Sequence, residues 1–232
     1  MFRFRTSKPA AGAAPAFVVA GALVAATALT ACGGPVKFGT AATVGDDRIT
    51  TAQLDGTVSQ WRKEFDRDRQ AALVQQVAQQ RGQQIPFDPE SPHRSALFQL
   101  ISLKIWEETA KEQGVSITQG QIDSLLGGLG GPSGVSASVL ASDIPVRYTT
   151  NIARVVLIQE DLLRKFGLAP GGQGQLDPGV QQRALAQREA AYQAAAGRLH
   201  ITVNPRFGSF DPERVILNPV TYRLSRPESG TG

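Results

Sequence analysis

The stretch "ATVGDDRITTAQLDGTV", Ala42–Val58, decides how this chain of 232 residues folds. Ala41 to Gly45 alternates weakly, which suits a short strand, and Asp46-Asp47 has turn chemistry. Thr50 with Gln53 three positions later has the spacing of a capping box, and Ile49 and Leu54 sit where a hydrophobic staple would sit. A helix should start there. Leu54, Val58, Trp61 and Phe65 follow at spacings of four, three and four, so they share one helical face. The pattern predicts one helix running on through Leu73 and Val77, stopped by Gly82 and the proline-rich "IPFDPESP".

Working outward, a second helix is predicted from about Ser95 to Gln113. Leu97, Leu100, Ile101 and Ile105 make its stripe. Phe98 and Leu103 widen it, so this helix should be buried on more than one side. Gly114 is placed to end it as a left-handed cap. The start signal then repeats: Thr118 with Gln121 is a second capping box, and Ile117 with Ile122 a second staple. A short helix to Leu126 follows. Residues 127–142 are rich in Gly and Ser and predict a flexible loop.

A further helix is expected over about Val146 to Phe166, with Tyr148, Ile152, Val155, Leu162 and Phe166 on one face. Residues 168–176 look like a second flexible loop. Asp177-Pro178 supplies an N-cap and a first-turn proline for a last helix, Ala- and Gln-rich, to about Ala196. Leu199–Val203 alternates like a strand, and Asn204 to Gly208 is a turn. Residues 211–232 are expected to be a partly disordered tail. The fold class is therefore mainly α, with a small two-stranded sheet joining the N- and C-terminal segments, and the folded domain spans 41–210.

The N-terminus has a different character. Arg3, Arg5 and Lys8 precede an uncharged run from Ala10 to Ala31, the layout of a secretory leader. A membrane span of roughly 20 apolar residues is the alternative. The run is rich in Ala and Gly, carries Pro15, and is followed by no basic cluster. Leu29-Thr30-Ala31-Cys32 resembles the lipobox of bacterial lipoproteins. That resemblance implies cleavage before Cys32, a diacylglycerol on its thiol, residues 32–40 as a lipidated tether, and a place on the extracytoplasmic face of the cell membrane. Cys32 is the sole cysteine, so no disulfide competes for it. Without residues 1–31 the chain holds 21 basic against 20 acidic residues, so its basic excess does not point to nucleic acid.

Catalytic and metal signals are thin. His93 and His200 lie more than 100 positions apart and have no ligand spacing. "RKEFDRDR", Arg62–Arg69, mixes signs as a solvated helix face does. "GGLGG", Gly127–Gly131, lacks the following Lys-Ser/Thr and the preceding strand of a phosphate loop.

Three segments together resemble the chaperone-type N-terminal module of the SurA, PrsA and trigger factor foldases. They are the opening stretch, "RSALFQLISLKIWEETAKEQGVSITQGQID" and "AGRLHITVNPRFGSFD". The interval that holds a parvulin isomerase domain in full foldases is too short here for one. The resemblance implies a non-catalytic, ATP-independent holdase with no cofactor beyond the lipid on Cys32. Its partners would be unfolded or nascent exported polypeptides. The alternative is a scaffold for one dedicated envelope protein. The candidate client-binding residues are Trp61, Phe65, Phe98 and Trp106, in a groove between the first helices and the last one, rimmed by Gln75, Gln76, Gln79 and Gln80.

Overall fold

The opening stretch folds as a strand, a turn and a capped helix as its spacing predicts, but the turn falls at Gly45-Asp46 and Asp47 begins a second strand that the spacing does not predict. In the computed structural model, which describes residues 38–80, 91–168 and 177–220, Thr40–Val44 forms strand β1 and Asp47–Thr50 strand β2. They pair antiparallel, with Val44 opposite Asp47 and Thr43 opposite Arg48. Gly45 opens the two-residue connection at φ +57, the positive φ that a tight hairpin needs there. Thr50 ends the strand and caps the helix: its hydroxyl accepts from the Gln53 amide at 3.0 Å. Ile49 and Leu54 are both buried in the main core.

Helix α1 runs Thr51–Phe65 and buries Leu54, Thr57, Val58 and Trp61. It does not continue through Val77. The chain breaks at Asp66–Asp68, and α2 spans Arg69–Gln80. The cause is Asp68, whose carboxylate accepts from the amides of Gln70 (2.9 Å) and Ala71 (3.1 Å) and starts a new helix.

Helix α3, Pro92–Glu112, begins earlier than predicted because Ser91 caps it and Pro92 takes its first turn. It buries Leu97, Leu100, Ile101, Leu103, Ile105 and Trp106 and packs on α1 and β1. Gly114, at φ +66, closes its end. The Val115 amide reaches the Ala110 carbonyl (2.8 Å) and the Gly114 amide that of Lys111 (3.2 Å), a Schellman motif.

Helix α4 spans Gln119–Gly128 and α5 Gly131–Leu140, so most of the predicted loop at 127–142 is helical. Its glycines serve geometry. Gly130 and Gly131 take φ +84 and +76 to reverse the chain, and a Cβ on Gly134 would collide with the Leu129 carbonyl. A 3₁₀ turn at Val146–Tyr148 leads into α6, Thr149–Lys165. Helix α7, Pro178–Arg198, is capped by Asp177, as predicted.

After α7, His200 takes φ +45, and only Thr202–Val203 forms strand β3. It pairs with β1, Ala42 opposite Val203, and the Asn204 side chain donates to the Thr40 carbonyl at 3.0 Å. The two ends of the domain are joined as expected, but the sheet has three strands, β2-β1-β3, since β1 has a partner on each side. Residues 211–218 are not tail. Strands β4 (Ser209–Asp211) and β5 (Ile216–Asn218) form a hairpin in which Asp211 accepts from the amides of Glu213 and Arg214. Gly208, at φ +126, lets the hairpin close, because a Cβ there would strike the Asn218 carbonyl.

Candidate functional site

Cys32 and the lipobox residues Leu29, Thr30 and Ala31 lie outside the described residues. The four aromatic candidates fall in different places. Trp61 is 7% exposed and donates its indole N–H to the Leu140 carbonyl at 2.8 Å. Phe65 is half-buried beside it, ring centroids 5.2 Å apart, in a cluster with Ala71 and Leu140. Phe98 is half-buried on α3. Trp106 is 8% exposed and stacks on Tyr192 of α7 at 4.3 Å.

The predicted groove is therefore filled. Where α7 lies on α3, Trp106 and Tyr192 close the seam, and the Tyr192 hydroxyl shares a 2.8 Å hydrogen bond with that of Ser102. Burial pushes the Tyr192 phenol up to about 12, and the Ser102 bond opposes that only in part. Of the glutamine rim, Gln76 and Gln80 are exposed and Gln75 half-buried, whereas the Gln79 side chain is outside the described set.

Open space lies instead between α4 and α6, in a cleft of about 1030 Å³. Its apolar lining is Leu125, Leu157, Leu163 and Leu168; Thr118, Gln121, Ser124, Glu160 and Arg164 form the polar edge. Local sequence builds it. Helix α4 buries Ile122 and Leu126 against Ala153 and Leu157. On the adjacent face Gly120 and Ser124, between Gln121 and Leu125, are small, so that wall is low there. At the other end Gly167, at φ +94, makes a second Schellman motif: Leu168 N–H to the Leu163 carbonyl at 2.9 Å and Gly167 N–H to that of Arg164 at 3.0 Å. The motif turns Leu168 back over Leu163, which is why both line the cleft. Arg164 is paired with Asp161, and Lys165 donates to the Gln113 carbonyl at 2.6 Å.

The capping-box pair Thr118 and Gln121 lines the cleft, but no sequence motif singles out its apolar residues. Their one signal is Leu157 and Leu163, apolar residues off the predicted stripe of Tyr148, Ile152, Val155, Leu162 and Phe166. A second residue without a sequence signal is Asp143, 1% exposed and at φ +61. Burial pushes its carboxyl up to about 7, and a hydrogen bond with Ser95 opposes the shift without cancelling it.

His93 pairs with Asp55 at 3.3 Å and lies over Phe207, ring centroids 6.5 Å apart. Among the described residues no group of three or more His, Cys, Asp or Glu could hold a metal ion, and no helix is long and apolar enough to cross a membrane. No family model matches the chain, and no match was found among curated proteins or solved structures.

Proposed function

We propose that this chain is a lipid-anchored extracytoplasmic holdase. Cys32 carries the lipid, and the helical domain holds unstructured segments of exported polypeptides without turnover and without ATP. What supports the reading most is the α4–α6 cleft. Four leucines make its apolar lining, and contacts to aliphatic surface are non-directional and scale with area, so many client sequences satisfy it. At the polar edge the Gln121 side-chain NH2, whose oxygen is held in the capping box, can donate to an extended backbone. The order of strand, capped helix, buried helix, second capped helix and returning strand resembles the SurA-type module and points the same way.

One observation favours a second reading, a scaffold for a single envelope protein. Helix α2 turns its small residues Ala71 and Ala78 inward and leaves Leu73, Val74 and Val77 exposed. That is a fixed apolar stripe, suited to one complementary surface.

The two readings part in one experiment. Residues 33–232 are mixed with a chemically unfolded, aggregation-prone client, and light scattering is followed. The holdase reading expects suppression near stoichiometric ratio without ATP, and loss of suppression in Leu163→Asp. Photo-crosslinkers at Leu163 and Leu168 should capture the client, and one at the buried Trp61 should not. No suppression by a domain that is well folded by circular dichroism supports the scaffold.

A further inference from the structure

We infer that the domain seats directly on an anionic phospholipid bilayer through the corner formed by Phe38 and Arg48. The inference rests on the membrane attachment proposed above. Phe38 is fully exposed, the one exposed Phe, Trp or Tyr among the described residues. It sits in the turn that enters β1, six positions after Cys32, so the tether reaches at most about 20 Å at ~3.3–3.6 Å per residue. A lipid on Cys32 therefore holds Phe38 within reach of the headgroup layer. There an aromatic ring can bury its apolar body at the acyl boundary.

Arg48 supplies the charge. Its Nε donates to the Thr40 hydroxyl at 2.7 Å and its terminal nitrogen to the Phe38 carbonyl at 2.9 Å, so the guanidinium is fixed beside the Phe38 turn. It has no carboxylate partner among the described residues. The nearby Asp47 is taken by Lys104 at 3.0 Å, which leaves Asp46 at the hairpin tip as the local acid. A planar guanidinium with free N–H groups matches a lipid phosphate. None of the residues that line the cleft belongs to the sheet, so the two surfaces are separate.

The test uses the full chain with Cys32→Ala and Phe38→Cys, which has a single thiol, labelled with an environment-sensitive nitrobenzoxadiazole dye. The labelled chain is mixed with vesicles of phosphatidylglycerol and phosphatidylcholine. The expected result is blue-shifted emission and protection from an aqueous quencher. Arg48→Gln and high salt should reduce both. The same dye at the exposed Gln187, in Gln187→Cys, should report water. Water-like emission at position 38, equal to that at 187, overturns the inference. Because this readout needs no lipid on Cys32, mass spectrometry of the unaltered chain tests the lipidation separately.

Discussion

The seam between α3 and α7 is shut, and the seam between α4 and α6 is open. The first is filled by flat rings: Trp106 on Tyr192, both buried, with a hydroxyl pair at its edge. At the second, α4 offers Leu125 but otherwise the small Gly120 and Ser124 and the polar Gln121 opposite the leucines of α6. The difference is side-chain volume on one wall. An apolar cleft arises here because α4 withholds bulk, not because α6 adds anything unusual. Large aromatics are the residues most easily suspected of binding clients, and large buried area is also what makes them the best core.

The strongest way to break this comparison is to empty both seams. Trp106→Ala should destabilise the domain by about 3–5 kcal/mol, the range for deleting a buried aromatic. Leu163→Ala, already half-exposed, should cost about 1 kcal/mol or less. Urea denaturation measures both. Equal losses would mean that the α4–α6 seam is packed as tightly as the other.

Next in size is the carboxyl beside Ser95. An ordinary Asp releases its proton near ~3.9, whereas burial holds Asp143 up to about 7. Between those values the folded state keeps a proton that the unfolded chain has lost. Asp143 therefore weakens the fold progressively as pH rises from about 4 to about 7, and the full stability is present below about 4. Asp143→Asn should remove that slope and raise stability at pH 8 by a few kcal/mol, at ~1.4 kcal/mol for each tenfold change in proton affinity. Urea midpoints from pH 4 to 8 decide it; parallel curves for parent and variant would exonerate the carboxyl.

Two glycines sharpen the contrast inside the α4–α5 region. Gly134→Ala drives a methyl into the Leu129 carbonyl and should cost about 1–3 kcal/mol. At Gly120 a Cβ meets nothing within 4 Å. Gly120→Ala should therefore stabilise by about 0.4–1 kcal/mol, while raising the low wall of the cleft and weakening client capture at Leu163. If both variants behave alike, the glycines here are not doing different jobs.

What is legible in the sequence follows from where the information is local. Thr50, Thr118, Gly114 and Asp177-Pro178 declare helix ends by their own side chains or lack of them, and the ends fall beside those residues. The return of Val203 to Ala42 also carries a local strand pattern. The break at Asp66–Asp68 is hidden because the apolar spacing runs straight across it, and only the Asp68 caps reveal it. Gly130, Gly131 and Gly134 read as flexibility because composition cannot distinguish a loose glycine from one placed against a carbonyl. The cleft itself is not legible, since it depends on which faces of α4 and α6 meet.

The smallest effect lies in the two caps that decide the fold. At Thr118 the box is closed: the Gln121 amide donates to its hydroxyl, and its own amide donates to the Gln121 side-chain oxygen at 2.8 Å. At Thr50 the same hydroxyl bond is present, but the Gln53 side chain does not return it. Thr118 also lines the open cleft, whereas Thr50 is held between a strand and a buried helix face. The reciprocal bond thus belongs to the helix with less packing to steady its start. Gln121→Ala should cost roughly 0.5–1.5 kcal/mol, the net worth of one hydrogen bond, and Gln53→Ala close to nothing. Amide hydrogen exchange isolates the cause, because the Thr118 amide should exchange faster in Gln121→Ala while the Thr50 amide is unchanged in Gln53→Ala. Equal exchange at both positions would mean that the second half of the box contributes nothing to holding α4 beside its cleft.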